Sequence, residues 1–126
     1  MGLTPHIHFL LDTNVVIGLL KGTELSINLL LRREILLEHC SVSLITRIEL
    51  LGFPGIKPAE EVKVAAMLAR LEILPLDEEV EAITIDLRRR TRMKLPDAII
   101  GATALANGLE LLTFDERLKA GLQRPH

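Results

Sequence analysis

Short apolar runs alternate with helical patterns along this chain, and that alternation limits the possible fold more than any other feature. Residues 6–11 (HIHFLL), 39–45 (HCSVSLI), 72–76 (EILPL) and 109–113 (LELLT) read as strands. Asp12-Thr13-Asn14 breaks the first strand and opens a short helix through Leu20, stopped by Lys21-Gly22. Residues 24–38 read as one long, very apolar helix. Thr46 opens a short helix that ends near Gly52. Further helical patterns cover 58–71, with Pro58 in the first turn, and 77–92. Another runs from Pro96-Asp97 to Asn107-Gly108, and a last turn spans Asp115 to Gly121. Pro75 suits the edge or end of its strand better than the middle. Strands separated by helices imply a mostly parallel sheet with helices on both faces. The expectation is a three-layer α/β/α domain with four or five strands, spanning 1–126 as a single unit.

Length and composition agree with one core: 126 residues, 48% of them apolar. The net charge of −2 supplies no global attraction to nucleic acid. Any polyanion must be met by a local patch or by metal ions. Cys40 is the only cysteine, so an internal disulfide and a thiolate metal cage are excluded. A buried filler is expected there, which fits a cytoplasmic setting. Met1 to His8 lacks the basic flank and apolar run of a secretory signal. No apolar stretch approaches the ~20 residues that cross a bilayer, so no membrane role is expected. The aromatic rings are Phe9, Phe53 and Phe114 alone. So few rings can hardly build a base-stacking platform; RNA would be handled through phosphates and metal. His6, His8 and His39 show no ligand spacing and read as strand or rim residues, and His126 as a frayed end.

In open parallel sheets, ligands bind at the carboxyl ends of the strands. Asp12 follows the first strand, and Asp115 lies two residues past the fourth. Glu49 lies in the first turn after the second strand, and Asp97 opens the helix leading to the fourth. Helices run back antiparallel to the strands, so all of these acids converge on one rim. Each alone has an ordinary structural explanation. Thr46–Glu49 and Thr113–Glu116 both match a capping box, Asp97 suits a helix N-terminus, and Asp12 could form a turn with Asn14. Together they repel: one pair at ~4 Å costs about 4 kcal/mol at an effective dielectric near 20. A fold concentrates such charge chiefly around a cation, and hard oxygen donors point to Mg²⁺ or Mn²⁺. A carboxylate-held ion can activate water and steady a phosphodiester under attack. Thr13, Asn14 and Thr113 stand beside these acids and are expected to steady them or position water.

The segments LLDTNVVIGLLKG (10–22), SLITRIELLGF (43–53), KLPDAIIGATALANG (94–108) and LELLTFDERL (109–118) resemble PIN domains. More narrowly, they resemble the VapC-type toxins of toxin–antitoxin pairs. The resemblance covers nearly the whole chain in the family's order and spacing. It places Asp12, Glu49, Asp97 and Asp115 in the family's acidic quartet and Thr113 at its hydroxyl position. It implies Mg²⁺- or Mn²⁺-dependent cleavage of RNA, blocked by an antitoxin. PIN domains commonly close with a fifth apolar strand. Here GLQRPH (121–126) leaves little room, so that strand is expected to be rudimentary or missing.

Arg88, Arg89, Arg90, Arg92 and Lys94 cluster just before Asp97. They suit a helix C-terminus and equally a phosphate-contacting rim for RNA or an acidic partner. The excess of apolar residues in 24–38 suggests a face covered by an antitoxin or by a second copy in a homodimer. Two competing functions stand beside the nuclease. An aspartyl phosphotransferase of the dehalogenase-like kind wants an acid two residues after Asp12, where Asn14 stands. A catalytically weak PIN-fold binding module would not need all four acids.

Overall fold

Strands buried on both faces are mostly apolar, and the centre of this fold shows how these short runs serve. The computed structural model describes residues 6–123. Strand β1 (Phe9–Leu11) lies inside the sheet, flanked by β2 (Cys40–Ser43) on one side. β3 (Glu72–Leu74) extends the sheet beyond β2, and β4 (Glu110–Leu112) pairs with the other side of β1. The order is β3-β2-β1-β4, with all neighbours parallel. The chain thus reverses its direction of travel across the sheet between β1 and β4.

Among the described residues seven α-helices connect and cover the strands: α1 (Thr13–Lys21), α2 (Glu24–Leu31), α3 (Leu44–Leu51), α4 (Pro58–Leu68), α5 (Glu78–Arg90), α6 (Leu95–Ala106) and α7 (Glu116–Gln123). Successive strand residues point to opposite faces. Leu11, Val42 and Leu112 therefore share one core with Val15 and Val16 of α1, Leu30 of α2, Leu50 of α3 and Val64 of α4. Leu10, Leu74 and Leu111 share the other with Ile100 and Ala104 of α6 and Leu118 of α7. α5 packs on α6 through Val80 and Leu87 against Ala98 and Ala102. These layers are the expected α/β/α arrangement. Every residue of α6 from Ala98 to Ala104 is buried. Its short side chains let it pack closely, which fixes where its first turn, and Asp97, must lie.

The predicted helix over 24–38 is corrected. α2 stops at Leu31, and a 3-10 turn at Leu37–His39 leads into β2. The stop is a Schellman motif. Glu34 sits in the left-handed region at φ 54°, its N–H bonding Leu31 O at 3.0 Å, while Ile35 N–H bonds Leu30 O at 2.9 Å. Leu30 and Ile35 are both buried in the same core, the apolar contact that usually seals this motif. No glycine or asparagine marks the stop, so the sequence pattern ran through it.

A second correction concerns α3, whose cap is Ser43 rather than Thr46: Ser43 Oγ accepts the Ile45 N–H at 3.1 Å. Among the described residues the sheet has four strands, and α7 runs to Gln123. Pro75 falls just past β3, as its missing N–H requires. At the amino ends of the strands, His39 meets His6 and His8 edge-on, with ring centroids 6.3 and 5.9 Å apart. Cys40 is fully buried, and burial pushes its thiol up to about 11. His126 and residues 1–5 lie outside the described residues. Among the described residues no single helix is long and apolar enough to cross a membrane.

Glu34→Gly should stabilise the protein by roughly 0.5–1 kcal/mol, because glycine adopts the left-handed region without the Cβ penalty. Urea denaturation of the two proteins measures this. Equal or lower stability would mean that Glu34 carries no conformational cost.

Candidate active site

The strand reversal leaves a crevice at the carboxyl ends of β1 and β4, and the chain places Asp12 and Thr113 there. Asp12 is only 5% exposed. A carboxylate at that depth needs partners. Its Oδ1 accepts the Thr13 N–H at 2.8 Å, which also caps α1. Its Oδ2 accepts the buried Thr113 hydroxyl at 2.6 Å. Thr113 Oγ1 in turn accepts the Asp115 N–H at 3.0 Å. Asp115 Oδ1 accepts the N–H groups of Arg117 and Leu118 at 2.9 and 3.1 Å. The expected Thr113–Glu116 capping box is thus replaced. Asp115 caps the last helix, and Thr113 ties the end of β4 to Asp12.

Glu49 is held by a different chain of hydroxyls. Thr13 Oγ1 donates to Glu49 Oε1 at 2.9 Å and lies 2.8 Å from Thr46 Oγ1. Thr13 has one hydroxyl proton and gives it to Glu49, so Thr46 donates to Thr13. Thr46 is fully buried. Its hydroxyl serves the rim rather than capping its own helix.

Asp97 stands in the first turn of α6, half-buried. Burial pushes its carboxyl above the ordinary aspartate value, and the charges of Asp12, Asp115 and Glu49 push it further; Lys94 opposes them. The charges of the three other acids thus reach Asp97. Asp97 also joins two clefts. One, of about 960 Å³, is walled by Arg89, Arg90, Arg92, Lys94 and Arg117 and reaches Asp97 and Asp115. The other, of about 740 Å³, contains Asp12, Thr13, Asn14, Glu49 and Asp97 and continues past Lys21, Phe53 and Lys63.

The donor chemistry fits a hard divalent cation: carboxylate oxygens from four separate elements, mutually repulsive, with no thiolate among them. The carboxylates stand around a rim rather than in a closed cage. Among the described residues, no three acidic, imidazole or thiol side chains approach as a bound ion would hold them.

A PIN domain model matches residues 9–121. The chain belongs to the PIN domain family. Solved structures agree. A chain of a toxin–antitoxin complex from Klebsiella pneumoniae is 31% identical, with a TM-score of 0.77 over 90% of this chain and 92% of that one. FitAcB from Neisseria gonorrhoeae is 27% identical, with a TM-score of 0.74 over 90% and 92%. DNA-bound VapBC from Salmonella typhimurium is 24% identical at a TM-score of 0.74, covering 90% and 91%, and shows likeness of fold. No sequence match to a curated protein was found.

In this PIN domain the basic cluster divides. Arg89, Arg90, Arg92 and Lys94 line the cleft, with Arg90 also paired to Asp86 at 2.8 Å. Arg88 does not line it: its Nη1 donates to Met93 O at 2.9 Å, bracing the turn between α5 and α6. Three residues at or behind these clefts are not assigned to the site by the sequence pattern. Arg117 was readable as a cation two residues past Asp115. Thr46 was hidden by its match to a capping box. Phe53 was discounted because rings are few, yet it lies in the acid-bearing cleft.

A carboxyl raised in the folded state binds its proton more tightly there than in the unfolded chain. Asp97 therefore contributes stability below the unfolded value, and that contribution is lost as pH rises through the raised folded value. Without divalent ions, wild type should lose more stability than Asp97→Asn as pH goes from acidic to neutral. Thermal unfolding across that range tests this; parallel curves for the two proteins would contradict the coupling.

Proposed function

We propose that this PIN domain is a metal-dependent endoribonuclease, acting over 1–126 as one nuclease unit and serving as the toxin of a toxin–antitoxin pair. The observation that carries the reading is the sharing of Asp97 by two clefts, one lined also by Asp12 and Glu49 and the other by Asp115, at the strand-reversal crevice. Those four carboxylates would hold Mg²⁺ or Mn²⁺. When bound, the ion lowers the pKa of water and offsets charge developing on a phosphodiester. The protein supplies the rest. Thr113 and the Thr13 N–H hold Asp12 in one orientation. Thr46, through Thr13, holds Glu49. Arg89, Arg92, Lys94 and Arg117 offer cations to the phosphates flanking the acids. Asn14 lines the same cleft and is placed to orient water or substrate.

A chain of net charge −2 needs such a local wall to attract RNA. The relative from Klebsiella pneumoniae comes from a toxin–antitoxin complex, and on that likeness an antitoxin is the expected partner. Leu25, Leu31 and Leu36 remain exposed on and after α2, a surface that an antitoxin or a second copy in a homodimer would cover. A cytoplasmic location goes with an RNA substrate.

The purified protein should cleave single-stranded RNA with Mg²⁺ or Mn²⁺ and lose activity in excess EDTA. Asp12→Asn and Asp97→Asn should each lower the rate at least ~10²-fold, the scale of removing an essential electrostatic group. Gel or fluorescence assays read both effects. Undiminished cleavage in EDTA, or in both variants, would sink the proposal.

A further inference from the structure

Asp97 is common to two clefts, and the two carry opposite charge. The first is walled by the end of α5, the turn into α6 and the start of α7. Arg89, Arg90, Arg92, Lys94 and Arg117 line it, five cations against the two carboxylates of Asp97 and Asp115. Arg90 is tied to Asp86 at 2.8 Å, and the other four cations are exposed. The second cleft sets Lys21 and Lys63 against Asp12, Glu49, Glu60 and Asp97, so it is net acidic. Its floor includes Ile17, Leu20, Ile56 and Val64, which belong to the core beneath. A divalent ion shared by the acids would offset charge on both sides and leave the difference between them.

A phosphodiester that reaches Asp97 from within a strand has further phosphates on both sides. Each is negative, and each adds to binding only where a cation can neutralise it. On the basic wall four exposed cations are at hand. In the other cleft carboxylates outnumber the lysines, and an apolar floor offers a phosphate no hydrogen bond. We propose that the site grips a ribonucleotide strand on one flank only. Phosphates on one side of the scissile bond lie along Arg89, Arg92, Lys94 and Arg117, while those on the other side gain no ionic contact. This rests on the nuclease reading and specifies how its substrate is held. The wall cations are then specificity-determining residues: they fix where along a strand the acids can act. A substrate needs several nucleotides on the gripped flank and few on the other. A bond close to one end of a strand is therefore cut as readily as an internal bond, whereas a bond close to the opposite end is spared.

The test starts from a single-stranded oligoribonucleotide that wild type cuts at one mapped bond. Shortening it stepwise from each end should give unlike results. One series should lose kcat/KM by at least ~10-fold, the scale of one hydrogen bond to a charged group. The other should hold the full-length value almost to the bond itself. Binding is read in Asp97→Asn, which removes a charge common to both clefts, as the slope of log affinity against log salt. Each neutral methylphosphonate linkage on the gripped flank should lower that slope by about 0.7, the single-strand value per phosphate. The same linkages on the other flank should leave it unchanged. Arg92→Gln and Arg117→Gln should lower the slope as one gripped-flank linkage does, whereas Lys21→Gln and Lys63→Gln should not. All four side chains are exposed, so unfolding curves of these variants should match that of their parent. If wild type cleaves RNA but shortening from either end costs equally, the one-sided grip is wrong and the nuclease reading stands. The same holds if the two lysine variants lower the slope as much as the wall variants. If wild type neither binds nor cleaves RNA, both fail. If the wall variants keep full RNA affinity and lose only a co-expressed protein partner, the wall is a protein surface and the grip is overturned.

Discussion

The hydrogen bond from Thr113 to Asp12 holds the site together, because it joins the ends of β1 and β4 where the chain reverses across the sheet. A carboxylate almost wholly withdrawn from water is tolerated only when its oxygens are satisfied. One oxygen is satisfied locally, by the first N–H of α1, and the other across the crevice, by a hydroxyl more than a hundred residues away in sequence, at a separation of 101. Removing either partner would strand a buried charge, and breaking such a pair is far costlier than never making it. The same threonine also receives the Asp115 N–H, so one hydroxyl positions two acids. Two more acids reach the crevice by other routes: Glu49 through the Thr46–Thr13 relay, and Asp97 by the close packing of α6.

The parts of this architecture that rest on the parallel sheet were legible in the sequence. Buried parallel strands are short apolar runs, helices lie between them, and acids that follow strands or open helices must share one rim. That logic places Asp12, Glu49, Asp97 and Asp115 on one rim from the sequence alone. Features decided by tertiary contacts were not legible. α2 stops at Leu31, with Glu34 left-handed beyond it, because Leu30 and Ile35 meet in the core, whereas the local pattern carries no stop signal. Thr46 and Thr113 sit where capping boxes are expected, but each has a stronger partner across the fold. Arg88 shares a helix turn with cleft residues yet bonds a backbone carbonyl instead.

The crevice is asymmetric in a way that composition conceals. Overall charge is slightly negative, yet cations gather on one side of the acids. On the nuclease reading, opposed charges placed side by side would keep the acids from repelling a polyanion along its whole length. Lys94, three residues before Asp97, shows this balance within one site: it opposes the burial and the neighbouring charges that raise the Asp97 carboxyl. The cost of gathering the acids is repulsion in the metal-free protein, and a divalent ion would turn that cost into binding energy.

That conversion is the central claim, and it can be measured without substrate. Wild type and Asp97→Asn would be unfolded thermally at neutral pH across a Mn²⁺ titration. A single site shared by the four acids predicts that wild type gains about 2.7 kcal/mol at a hundredfold excess over its dissociation constant. Asp97→Asn should gain much less, while starting at least as stable as wild type without metal. Equal stabilisation of the two proteins by Mn²⁺ would contradict the claim that these carboxylates form one metal site.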